Sequence, residues 1–165
     1  MDFDHDLERL DIQEERLQFT SFDAETAWTL GTRIREVAAQ RQLAVAVDIQ
    51  LNGHPVFLTT MLGTGPDNLD WIRRKRNAVQ RFERSSYAIG RQLKKEEKTL
   101  EEKFGVDERD HAPYGGCFPI RVRGEGLIGT IGVSGLPDRA DHELIVEVLA
   151  EMLGVPLDEV ALAAD

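Results

Sequence analysis

Residues 115–149, GGCFPIRVRGEGLIGTIGVSGLPDRADHELIVEVL, constrain the fold most: two glycine-rich β-strands joined by a tight turn run directly into a helix. So short a connection pairs its strands antiparallel, because a parallel pair needs a crossover of a dozen residues or more. A second hairpin lies upstream. LAVAVDIQL (43–51) and PVFLTTML (55–62) are separated by Asn52-Gly53-His54, and Asn-Gly accepts positive φ at both positions, the strongest short hairpin signal.

Helices are expected around these hairpins. Residues 4–16 read as an acidic amphipathic helix with Leu7 and Leu10 inward, and 17–19 as a brief extended segment. Ser21 can cap a second helix whose inner face follows Ala27, Leu30, Gly31, Ile34, Val37 and Ala38, a 3.6-residue period. The loop GTGPDNLD (63–70) lacks the Gly-Lys-Ser/Thr ending of a phosphate-binding loop. A long helix then spans about 70–103, with an apolar stripe at 72, 79, 82, 89, 93 and 100. Asp138 or Asp141 opens the last helix, Gly154 fits its C-cap, and 157–164 has room for one more turn.

Helix, hairpin, helix, hairpin, helix is not the alternation of a doubly wound parallel sheet. It predicts an α+β fold, an antiparallel sheet of about four to five strands packed with helices as a two- or three-layer sandwich. At 165 residues, a single domain over 1–165 is expected, its first 20 residues an acidic helical segment. Pro119 marks its strand as an edge or a bulge, and Gly129 and Gly132 leave one strand bare unless something approaches closely.

The net charge of −10 argues against nucleic-acid binding. No apolar run approaches a membrane span, and the acidic start has neither the basic nor the apolar part of a signal peptide, so a cytoplasmic protein is expected. A lone cysteine, Cys117, excludes an intrachain disulfide and a cysteine-built zinc site. Charge is unevenly spread: residues 71–95 carry nine Arg or Lys against one acid, Glu83. That basic element faces either an anionic ligand or an acidic neighbour, in the same subunit or another.

Two polar residues, Lys75 and Ser86, interrupt the apolar stripe. Lys75 either snorkels to the edge or points into a cavity, where it needs an anion or carbonyl partner. Ser86 can bond the backbone of its own helix. His142, at the start of the last helix, can supply a proton, a hydrogen bond or a metal ligand, or can simply bond a loop or another subunit. No cluster of metal-ligand spacing is visible. Ser134, Asp141 and His142 are close in sequence, but neighbouring side chains on a helix diverge, which counts against a hydrolase triad.

The combination WIRRKRNAVQRFERSS, YGGCFPIRV and IGTIGVSGLPDRADHELIVEVL resembles the UPF0303 family over about residues 5–155. That family is a branch of the haem-degrading-domain superfamily of HbpS-like and GlcG-like proteins. The resemblance implies a profilin-like or PAS-like sandwich, assembled into dimers or larger rings, with haem as a cofactor in some members. The pattern carries over at Lys75, Ser86, Gly115, Gly116, Asp141 and His142. It departs at Tyr114, where a histidine commonly precedes the Gly-Gly pair; His111 lies three residues earlier. Tyrosine can bind haem iron as phenolate.

Three functions compete. The first is a homo-oligomeric binding protein for a small anionic or tetrapyrrole, haem-like ligand, held by Lys75, Ser86, Tyr114, Gly115, Gly116, Asp141 and His142. The second is an oligomeric scaffold or interaction module without chemistry. The third is an enzyme that degrades haem.

Overall fold

The computed structural model describes residues 2–164. Its elements run α1 (Phe3–Arg16), α2 (Ala24–Gln40), β1 (Ala46–Leu51), β2 (His54–Thr60), α3 (Pro66–Phe82) and α4 (Ser86–Lys95). They continue through α5 (Leu100–Phe104), β3 (Cys117–Val122), β4 (Gly126–Ser134), α6 (Asp138–Leu153) and α7 (Leu157–Val160).

One antiparallel sheet in the order β2-β1-β4-β3 carries the fold. Asn52 and Gly53 turn the first hairpin at φ 49° and 77°. Ile49, Ile131, Val133, Phe118 and Ile120 face α2 and α6 and form the main core with Leu30, Ile34, Ile145 and Leu149. The opposite face lies against α3, where Ile72 packs so closely on Gly132 that a Cβ there would overlap it. The result is an α+β sandwich, helices on both faces of four strands. Pro119 sits in the edge strand β3, whose register slips between Ile120 and Arg121, as proline requires.

Two expectations are corrected. The helix over 70–103 is three helices, broken where Glu83 turns left-handed at φ 54° and again where Glu97 does so at φ 53°. Ser85 caps α4 through the amide of Ala88, and Thr99 and Glu102 form a reciprocal capping box on α5. The apolar stripe survives because each helix turns the same face inward: Ile72, Val79, Ile89, Leu93 and Leu100 are all buried. The cap of α2 is Asp23, not Ser21; its carboxylate accepts from Thr26 N at 2.9 Å.

The basic element is answered largely within the chain. Asp4, Asp6, Asp11 and Glu14 of α1 pair with Lys95, Arg91 and Arg84. Arg73 pairs with Asp70 and Asp110, and Arg76 with Asp48. The acidic N-terminal helix is thus a clamp over the basic helices of its own subunit.

Candidate functional site

A cleft of about 350 Å³ opens between the start of α3 and the turn from β4 into α6. Its floor is a buried ion pair. Lys75 Nζ lies 3.1 Å from Asp141 Oδ2 and 3.2 Å from the carbonyl of Val133, with side-chain exposures of 5% and 2% for the two residues. Lys75 therefore does not snorkel: it points from α3 into the space under the β4–α6 turn. Asp141 also accepts from Leu136 N at 3.0 Å, so one carboxylate holds both the ammonium and the turn. Burial pushes the Asp141 carboxyl up to about 6, against the opposing pull of Lys75.

Gly116 makes this closeness possible. It adopts φ 122°, and a Cβ there would sit 2.6 Å from Lys75 Nζ and overlap the carbonyl of Val133. Gly115 lies equally tight beneath the carbonyl of Asp138. The Gly-Gly pair serves the cleft by occupying no volume behind its floor.

One wall is aromatic. Tyr114, 40% exposed, meets Trp71 edge-on at 5.9 Å between centroids, and the Arg74 guanidinium lies 4.5 Å over the Trp71 ring. Asn68 spends its side chain on the Gly65 amide (2.9 Å) and Ser134 Oγ (3.1 Å), fixing the loop ahead of α3 to the end of β4. Asp67 and Asp138 stand on the rim.

Two sequence-derived candidates lie away from the cleft lining. His142 is fully buried. Its Nε2 is 2.8 Å from Gln13 Oε1, and its ring stacks on Tyr87 at 5.0 Å. Gln13 gives its amide to the carbonyl of Val160 at 2.8 Å, so its oxygen accepts and the network assigns the proton to Nε2. Burial pushes His142 down to about 3, so it is neutral at physiological pH and ties α6 to α1. Ser86 Oγ accepts from Cys117 N at 3.0 Å and donates to Cys117 O at 3.3 Å, pinning α4 to the start of β3. Burial pushes the Cys117 thiol up to about 12, which leaves it unreactive.

Sequence reasoning missed Trp71, Asn68 and the rim acids. Trp71 had a signal, four residues before Lys75 and so next to it on the helix face. Asn68 had none beyond its loop composition. Among the described residues no three of His, Cys, Asp and Glu converge as round a metal ion, and no helix is long and apolar enough to cross a membrane.

A four-stranded sandwich with a polar cleft at one sheet end, floored by a buried ion pair and walled by aromatics, defines a small α+β domain built around a ligand-sized site. Residues 22–150 match the family described as haem degrading protein HbpS-like. A UPF0303 protein of Azotobacter vinelandii is 59% identical over 162 residues, 98% of each chain. The chain belongs to the HbpS-like family and, within it, to the UPF0303 proteins. Among solved structures, the Ybr137w protein is similar with a TM-score of 0.83 and 37% identity, covering 90% of this chain and 87% of its own. A PduOC:heme complex shares the fold with a TM-score of 0.65 at 18% identity, covering 79% and 94%.

Proposed function

We propose that this chain binds a tetrapyrrole-class ligand in the Lys75–Asp141 cleft. One observation carries the proposal. An ammonium has three donors; Lys75 commits two, to Val133 and Asp141, and lines the cleft. A buried donor is costly until an acceptor reaches it, and a ligand carboxylate supplies one. Trp71 and Tyr114 offer a flat ligand an aromatic wall. Asp67 and Asp138 on the rim repel a carboxylate left outside, so charge favours the orientation with acid groups inward.

The family description concerns haem, and the PduOC structure is a haem complex; both support haem as the member of this class to try first. The residues fit haem in one way. None of the four histidines lines the cleft, whereas Tyr114 does and can offer a phenolate to iron. Haem, when bound, would supply the redox chemistry of its iron. The chain's own part is to neutralise a propionate with Lys75, to hold that lysine with Asp141, and to present Tyr114.

Titration of haemin into the purified protein at neutral pH, followed by visible absorbance, tests this. A saturable shift at one haem per chain, weakened in Lys75→Met, is expected. A shift that never saturates, or that Lys75→Met leaves unchanged, overturns the proposal.

A further inference from the structure

We propose that a second copy of this chain docks on the free edge of β2, about a two-fold axis that continues the sheet antiparallel from one copy to the next. The two sheet edges are treated differently. At β3 the edge is covered, since Phe19 bridges Val122, taking an amide bond from Arg123 and giving one to the carbonyl of Arg121, both at 2.9 Å. At β2 no segment among the described residues pairs on the outer side. Met61 gives its amide to Val45 at 3.1 Å, so by strand alternation the amides of Leu58 and Thr60 point away from β1.

Exposed edge strands are normally guarded by charge, proline or a bulge. Here Pro55 and the register shift at Ile49/Gln50 guard only the hairpin end. Residues 54–62 contain no Asp, Glu, Lys or Arg in a chain of net charge −10. Leu58 is 56% exposed and Leu62 fully exposed along this strand, with Trp28 of α2, 63% exposed, beside it.

Charge identifies the occupant. Glu25, Trp28, Thr32 and Arg35 are spaced three, four and three residues apart, so they share one face of α2. Trp28 meets Phe57 of β2 edge-on at 5.7 Å, placing that face along the free edge, while Arg33 on the other flank pairs with Glu151 of α6. Among the described residues, Glu25 and Arg35 form no ion pair within the chain. A two-fold axis through β2 runs the two α2 helices antiparallel and sets Glu25 of each copy toward Arg35 of the other. The stripe is then complementary to itself, as an interface between identical subunits must be. Elsewhere the net acidic surface holds copies apart.

Sedimentation equilibrium of the full chain tests this without ligand. Wild type is expected at the mass of two chains or a multiple. Leu58→Lys, at an exposed position, is expected to halve that mass with an unchanged far-ultraviolet CD spectrum. Glu25→Lys and Arg35→Glu should each weaken association by roughly tenfold, and the double exchange should restore it. A monomeric wild type, association untouched by Leu58→Lys, or a double exchange no better than the single ones overturns the proposal.

Discussion

Lys75 and Asp141 meet at 3.1 Å across the sheet end, joining the middle of α3 to the first turn of α6 in an almost fully buried ion pair. Such a pair adds little net stability against a well-packed apolar alternative, yet removing one partner strands a buried charge. Its value here lies in presenting a fixed ammonium at the floor of a cleft. The acidic α1 helix serves the same site at a distance, because its clamp on α4 closes the core in which His142 is buried.

Asymmetric costs are expected within the pair. Asp141→Asn leaves Lys75 charged and uncompensated and should cost about 3–5 kcal/mol. Lys75→Met should cost less, because the Asp141 carboxyl, already pushed up to about 6, can take a proton instead. The double variant should be more stable than Asp141→Asn alone. Urea unfolding of the four proteins at neutral pH checks the order.

Stability should follow pH with two opposed slopes. Asp141 has its folded pKa raised from 3.8 to about 6, so its contribution is fully present below 3.8 and is lost as pH rises through 6. His142 has its folded pKa lowered from 6.5 to about 3, so its contribution is present above 6.5 and is lost as pH falls toward 3. Between these limits the two oppose each other in wild type. His142→Gln should unmask a stability that falls with pH, and Asp141→Asn one that rises, each by about 1.4 kcal/mol per pH unit at most. Denaturant midpoints measured from pH 4 to 7 give the signs.

Gly116→Ala should cost about 2–3 kcal/mol, since it combines a φ of 122° with overlap of Val133 O and contact with Lys75 Nζ. Gly65→Ala is the control, because nothing lies within 4 Å of its added Cβ and its φ of −135° suits any residue. Thermal unfolding of the two variants should separate clearly. Equal midpoints would show that the floor of the cleft has room that the structure denies it.

The α1 clamp should respond to salt only at its rim. The exposed Lys95–Asp4 pair is screened in 1 M salt, where the Debye length is about 3 Å, while Arg91–Asp6 is buried beneath the rings of Phe3 and Tyr87. Hydrogen exchange should therefore find α1 still protected in high salt. Arg91→Ala, by contrast, should speed exchange along the helix.

Much of the fold was legible because local signals and global packing agree. Asn52-Gly53 specified a hairpin by its need for positive φ, and the period from Ala27 to Ala38 specified the buried face of α2. The break at Glu83 was not legible, because a left-handed glutamate has no marker of its own and the stripe runs on through it. In the site, Lys75 stood out as a charge on an apolar face. His142 did not reveal its place, since that depends on Gln13, which is 129 residues away in the chain and meets it only once α1 has docked.

The most direct test compares haemin titrations of wild type, Tyr114→Phe, Tyr114→His and His142→Gln by visible absorbance. The account predicts a saturable shift in wild type that Tyr114→Phe loses, that Tyr114→His regains with an altered spectrum, and that His142→Gln leaves in place. A shift lost in His142→Gln but kept in Tyr114→Phe would contradict it.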